Sequence, residues 1–340
     1  MKKLLTLLVL SSAALFTAPV MAQTRLKATV GVGGSSSQLA LLAMNVARTK
    51  GYIKDEGLDI DVTDFGSGAK GLAALVGKNV DLNIGVHEHV LVMQAKGVEL
   101  RSIVAMSNAP GTVIAVTKQF APKFKTMKDL KGTKIGISAP GSSTHMLLNQ
   151  VLVQNGLKPD DVSTIGVGNA AGAVAAVRTG GELQALVNFD PVISTLEASG
   201  DIKPVLDLRS LEATKAYYKN DYTFLTVYTT PEYIQKNPAA CQALVNGIVK
   251  ALKWMQTATP EQILAAVPEE YWKNDRDLYL RGIVKNLAGF SHDGRMTAAG
   301  SKTLLDGLMT YDKDVQAAGS KMVLSRTYDN TFVEKALARK

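Results

Sequence analysis

Ser142, Ser143, Thr144 and His145 stand directly after a short apolar run, Ile135 to Ile137, and a Pro140-Gly141 turn, and directly before a leucine-rich segment. That order reads as strand, turn and helix start. The first turn of a helix carries amide donors with no internal partner, and its aligned peptide dipoles make that end electropositive. Neutral side-chain donors added there make a socket for an anionic or strongly hydrogen-bonding small molecule. A plain helix-capping role for Ser142 or Ser143 explains the same residues equally well.

Repetition favours the socket. Ser35, Ser36 and Ser37 follow an alternating run, Leu26 to Val32, and precede an apolar helix from Gln38 to about Lys50. Phe65, Gly66, Ser67 and Gly68 follow Leu58 to Val62 and lead into a helix through Leu72, Leu75 and Val76. His87 and Glu88 follow Val80 to Ile84, and Ser107 ends the run Leu100 to Met106. Further on, Asn169 follows Val162 to Val167, while Asn188 and Asp190 follow Leu183 to Val187. An acidic residue in such a place, Glu88 or Asp190, either complements a helix dipole or accepts a hydrogen bond from an amino group on a ligand.

Other chemistries fit less well. His87-Glu88-His89 has metal-ligating residue types, but residues two apart do not share a helix face and no third ligand stands nearby. Ser142 or Ser143 with His145 and Asp190 lacks the G-x-S-x-G elbow of a serine hydrolase. Gly31-x-Gly33 has Ser36 where a dinucleotide loop needs its third glycine, and Gly71 to Lys78 has the wrong spacing for a phosphate loop. Trp254 and Trp272 are read as packing residues. No catalytic group, metal or cofactor is assigned.

The elements that must position these loops form two series of strands alternating with helices, which implies an α/β fold with mostly parallel sheets flanked by helices. In such sheets a ligand sits beyond the carboxyl ends of the strands, where these loops lie. Thr112 to Lys118 and Asp221 to Thr229 are β-rich runs where one series gives way to another, and they are read as two crossover strands between lobes. Lobe 1 is then 23–110, lobe 2 is 111–225, and 226–340 returns to lobe 1 as helices. Thr230-Pro231, Asn237-Pro238 and Thr259-Pro260 place a capping residue before a proline at the first helical position. Leu244, Ile248, Val249, Leu252 and Met255 share one helix face.

Residues 1–22 have a basic start (Lys2, Lys3), an apolar stretch (Leu4 to Phe16) and a small-x-small site (Val20-Met21-Ala22), the pattern of a cleavable secretory signal. The expected location is therefore the periplasm. The chain has 340 residues, one cysteine and a net charge of +8 that falls by two once Lys2 and Lys3 are removed. The remaining excess forms no basic stripe with interleaved aromatics, so nucleic acid is not the expected partner. A monomer is expected, with a small-molecule ligand.

Four segments, AMNVARTKGYIKDEGLDIDV (Ala43 to Val62), FGSGAKGLAAL (Phe65 to Leu75), DLNIG (Asp81 to Gly85) and LKGTKIGISAPGSSTHMLLNQVLVQNGL (Leu130 to Leu157), resemble the substrate-binding proteins of ABC importers. More narrowly the chain resembles the branch of sulfonate-, taurine- and nitrate-binding proteins and NMT1/THI5-like proteins. The resemblance implies a type II-like two-lobed fold, a permease in the inner membrane as partner, and ligand loops at Ser35 to Ser37, Phe65 to Gly68, His87 and Glu88, Ser142 to His145, Asn169, and Asn188 to Asp190. It also leaves alternatives: an exported enzyme using His87, His145 or Asp190, or a solute receptor for a sensor kinase. No arginine or lysine stands in these loops to clamp a sulfonate, and the cysteine-rich signature of the eukaryotic pyrimidine synthases is missing.

Overall fold

The computed structural model describes residues 25–34, 36–179 and 181–339; the leader at 1–22 and Ser35 lie outside the described residues. The first series runs β1 (Leu26–Val32), α1 (Leu42–Thr49), α2 (Tyr52–Asp55), β2 (Leu58–Asp64), α3 (Gly68–Val76), β3 (Leu82–Val86), α4 (His87–Ala95) and β4 (Arg101–Ala105). The second runs β5 (Thr112–Thr117), β6 (Lys134–Ile137), α5 (Ser143–Gln154), β7 (Ser163–Gly166), α6 (Ala171–Thr179), β8 (Ala185–Phe189), α7 (Val192–Ala198), β9 (Ile202–Asp207) and α8 (Leu211–Tyr218). The chain then adds β10 (Leu225–Thr229) and the helices α9 (Pro231–Lys236), α10 (Pro238–Met255), α11 (Pro260–Ala265), α12 (Arg276–Leu287), α13 (Ala298–Leu308), α14 (Lys313–Ala318) and α15 (Thr331–Ala338).

Two five-stranded sheets result, ordered β2-β1-β3-β10-β4 and β7-β6-β8-β5-β9. In the first, β1 is parallel to β2 and β3, and β10 is antiparallel to β3 and β4. In the second, β6 is parallel to β7 and β8, and β5 is antiparallel to β8 and β9. The antiparallel strand of each sheet is the one that arrives from the other sheet. Strands β3, β5, β8 and β10 are buried along their whole length, whereas the edge strands β2 and β7 are largely exposed. Burial on both faces is why Thr112 to Thr117 and Leu225 to Thr229 are unbroken apolar and β-branched runs.

This corrects the reading of those runs as crossovers. They are inner strands, and the crossings are the segments around them: 106–111 leading out, and the stretch before β10 leading back. Ser107 and Phe224-Leu225 join the two crossings, since Phe224 N donates to Ser107 O at 2.9 Å and Leu225 N donates to Ser107 Oγ at 3.3 Å. Smaller shifts have equally simple causes. Strand β8 continues through Asn188 and Phe189 because they pair with Val113 and Thr112, and α4 begins at His87, so His87 to His89 form its first turn. Residues 39–41 form a 3-10 turn, which leaves Gln38 ahead of the helix it was expected to begin.

The C-terminal helices join the core of the first sheet. Leu244, Ile248, Val249, Leu252 and Met255 of α10 are buried among Val30, Leu42, Ile84 and Val104. Thr230 and Thr259 cap α9 and α11 by accepting from Tyr233 N and Gln262 N; Asn237 makes no side-chain cap. Helix α10 touches α2 at Gly247, where an added Cβ would lie 2.6 Å from Ile53 Cγ1 and 3.0 Å from its backbone. Gly247→Ala is therefore expected to destabilise the fold by about 1–3 kcal/mol, overpacking outweighing the gain of about 1 kcal/mol in helix propensity. Urea unfolding measures this, and an alanine variant at least as stable as the parent would contradict the contact.

Candidate functional site

The loops after β1, β2, β6, β7 and β8 converge on one cleft between the two sheets. Gly33, Gly34, Gln38, Leu41, Gly68, Ile84 and Val86 line it from one side, Ser138, Ser143, Asn169 and Phe189 from the other, with Phe224 and Leu225 from the returning crossover. The enclosed space is about 40 Å³. Asn169 also borders an outer groove of about 600 Å³ formed with Ser37, Val174, Pro191 and Tyr279.

Glycine brings the loops this close. A Cβ on Gly33 would stand 2.6 Å from Gly68 Cα, and one on Gly34 would stand 2.1 Å from Gln38 Oε1. Three hydrogen bonds then join the sheets across the cleft. Ala69 N, in the first turn of α3, donates to Ser142 Oγ at 3.2 Å; Asn169 Nδ2 donates to Gly33 O at 3.4 Å; and His89 Nε2 meets Gly141 O at 3.3 Å. Because a carbonyl only accepts, the His89 bond sets its tautomer: Nε2 carries the proton and Nδ1 accepts from Tyr228 Oη at 3.2 Å. Burial lowers the His89 pKa to about 4, which keeps the ring neutral.

Gln38 was missed as a site residue. Its side chain is 7 % exposed and its Nε2 has no hydrogen-bond partner among the described residues. Most buried polar groups are paired, so an unpaired donor on a cleft wall marks a place where a ligand acceptor fits. The available signal was a polar residue opening an otherwise apolar segment immediately after the serine run. Phe189, Phe224 and Ser138 were missed too, because the first two belong to apolar runs and the third looked like the end of a strand.

The predicted residues divide into groups. Gly68, Ser143 and Asn169 line the cleft. Ser142 closes it through Ala69; Asn188 supports it by donating from Nδ2 to Gly168 O at 3.0 Å, beside Asn169. Thr144 Oγ1 accepts from Ser138 N at 2.9 Å, and His145 Nδ1 accepts from Gly141 N at 3.1 Å, so both hold the turn before α5. Ser67 caps α3 through Lys70 N, Gly66 supplies a left-handed φ of +72, and Phe65 packs against Leu72 and Val80. Ser36 binds the Asp64 carboxylate through N and Oγ, and Ser37 O accepts from Tyr279 Oη at 3.0 Å beside the outer groove.

Four expectations need correction. Ser107 joins the crossovers and is not among the cleft-lining residues. The imidazole of His87 is sealed in a cage of hydroxyls, Ser102 Oγ at 2.9 Å, Ser301 Oγ at 3.2 Å and Thr327 Oγ1 at 3.4 Å, and burial lowers its pKa to about 3. Glu88 Oε1 accepts from Tyr222 Oη at 2.9 Å, Oε2 has no partner, and burial raises the pKa to about 7; it faces a separate small cavity with Met146, Gln150 and Tyr311. Asp190 accepts from Ser194 N and Oγ, from Asn286 Nδ2 at 3.1 Å and from the buried Arg209 guanidinium at 3.4 Å, so its carboxylate is already saturated. Arg209 also pairs with Asp207 and Glu197.

Comparison with known proteins agrees with this architecture. A solved structure from Bordetella bronchiseptica RB50 is 40% identical, with a TM-score of 0.87 over 92% of this chain and 97% of that one. The alkanesulfonate-binding protein SsuA from Xanthomonas axonopodis pv. citri, solved bound to MOPS, shares the fold at 19% identity, with a TM-score of 0.67 over 91% of this chain and 100% of that one. The 4-amino-5-hydroxymethyl-2-methylpyrimidine phosphate synthase THI13 of Saccharomyces cerevisiae is 25% identical over 62% of each chain. Residues 40–263 match the family described as NMT1/THI5 like, and on that match, which spans more than half of its length, the chain belongs to the NMT1/THI5-like family.

Proposed function

We propose that the protein is an extracytoplasmic solute receptor that closes on one small polar organic molecule, of the sulfonate, taurine, nitrate or aminopyrimidine type, and presents the closed form to the permease of an ABC importer. The observation that carries this reading is the cleft itself: it lies between two sheets joined by two adjacent crossovers, and side chains from both sheets hold it shut. A ligand touching both sides stabilises the closed form by its differential affinity for that form. Among the described residues no helix is long and apolar enough to cross a membrane, and the leader sequence supports export. Delivery to a sensor kinase would use the same closed form; transport assays with a permease separate the two.

Relatedness to a synthase gives the catalytic reading its weight, and His87 and Glu88 are its natural acid-base candidates. Their placement supports the receptor instead. His87 faces Ser102, Ser301 and Thr327 inside the core, and Glu88 faces Tyr222, away from the cleft lining.

Native mass spectrometry of freshly purified protein, followed by thermal shift with sulfonates, taurine, nitrate, aminopyrimidines, aromatic carboxylates and their carboxamides, is the direct test. A solute at about a hundredfold its Kd is expected to stabilise the fold by about 2.7 kcal/mol; a panel with no shift, together with no retained solute, would contradict the proposal. Ser142→Ala removes a bond made only on closure and is expected to weaken binding about two- to tenfold, the worth of a net hydrogen bond of ~0.5–1.5 kcal/mol. Unchanged affinity in that variant would mean closure does not depend on the Ser142 bond.

Glu88 should register in stability and not in turnover. Its folded pKa is raised from 4.5 to about 7, so between those values the folded protein keeps a proton that the unfolded chain has released. Its contribution therefore falls as pH rises through that window, by up to about 1.4 kcal/mol per pH unit. His87 and His89, with lowered pKa values, act oppositely: their contribution is lost as pH falls below 6.5. Glu88→Gln is expected to gain stability over the parent progressively from pH 4.5 to about 7 and then level off, as read by urea unfolding at several pH values. A gap independent of pH would show that Glu88 does not titrate as stated.

A further inference from the structure

Resting on the receptor reading, we infer that the cleft selects an uncharged solute that offers a hydrogen-bond acceptor, a carbonyl oxygen or ring nitrogen, to the Gln38 amide, and that it rejects sulfonates and carboxylates of the same size. Three features of the cleft carry this.

Among the described residues lining the cleft, none is Lys, Arg, His, Asp or Glu. An anion moved there would lose its hydration without gaining a counter-charge, and burying an unpaired charge is far more costly than burying a neutral polar group.

The helix starts that would replace a cation are already engaged. In α3, Ala69 N donates to Ser142 Oγ and Lys70 N donates to Ser67 Oγ; at α4, His87 N donates to Phe224 O. Closure thus uses the first-turn donors of α3 to join the two sheets, and an anion seated at that helix start would have to displace Ser142.

What the cleft does offer is one neutral donor and apolar walls. Gln38 Nε2 is buried and unpartnered, and the walls around it include Leu41, Ile84, Phe189 and Phe224, the two phenyl centroids 6.2 Å apart. A flat molecule with an acceptor at one edge satisfies both. Substituents that exceed the inner space leave past Asn169, which borders the outer groove.

The test is calorimetry and thermal shift on the full-length mature protein with matched probes: nicotinamide against nicotinate, and benzamide against benzoate and benzenesulfonate. Native mass spectrometry identifies any retained solute. The expected result is that the uncharged member of a pair binds at least tenfold tighter, with a Kd that does not change with salt, as screening would require for an ionic contact. Gln38→Leu is expected to lose at least tenfold of that affinity while the ligand-free variant melts at or above the parent temperature, because the change removes a buried unpaired donor. A merely structural role for Gln38 would lower the melting temperature instead. Preference for the anionic member, a retained anion, or full affinity in Gln38→Leu overturns the inference and leaves the receptor standing; if no solute of either charge binds and none is retained, the receptor reading fails and takes the inference with it.

Discussion

The hydrogen bond from Ala69 N to Ser142 Oγ is the contact on which the arrangement depends, because it places the beginning of α3 against the beginning of α5. Two helix starts carry like partial charges and repel when they face one another. A neutral hydroxyl oxygen between them accepts from one of them, which turns an unfavourable approach into a favourable one. Glycine at 33, 34 and 68 lets the adjoining backbones follow, Gly33 to within van der Waals contact of Gly68. The cleft is what remains once these loops have met, and its chemistry is accordingly that of side chains left without a role in closure, Gln38 above all.

The remainder of the buried polar chemistry serves position. Asn83 Nδ2 donates to Tyr228 Oη at 2.8 Å, Tyr228 donates to His89, and His89 donates to Gly141 O, a directed chain from the centre of the first sheet to a loop of the second. The direction is fixed because an amide nitrogen only donates and a carbonyl only accepts. Arg209, 2 % exposed, does the corresponding work on the far side of the cleft. It gathers Asp190, Glu197 and Asp207, while Asn286 of α12 reaches Asp190 and Lys285 reaches Glu197. Breaking one partner out of such a buried cluster costs far more than the cluster contributes when intact, so its role is to specify where α12 meets α7.

Much of the fold was legible in the sequence for a physical reason. Alternating strands and helices with small residues between them leave few packings, and the loops named from Ser67 to Asn169 do gather at one edge of the two sheets. The site was less legible because burial cannot be read from residue type. Asp190 has the same appearance in sequence as a ligand acceptor; only Arg209, nineteen positions away, makes it a structural anion. Gln38 has the appearance of an ordinary helix residue until the 3-10 turn at 39–41 leaves it outside the helix. Ser107, at the end of a strand, resembled the other loop serines, and its place between two crossovers depends on pairings more than a hundred residues apart.

Those crossovers explain how a cleft held by so few bonds can still open. Strands β5 and β10 are each bonded to two neighbours in the sheet they enter, so each crossover ends in a rigid strand. Relative motion of the sheets must then be absorbed by the short segments between, where Ser107 holds Phe224 and Leu225. Two adjacent, mutually bonded segments permit bending about their common line and resist sliding along it. Under that constraint the loops at Ser142, Gly33 and Asn169 part and return along nearly one path, and a solute that engages Gln38 as they return is tested against the same three contacts every time the cleft closes.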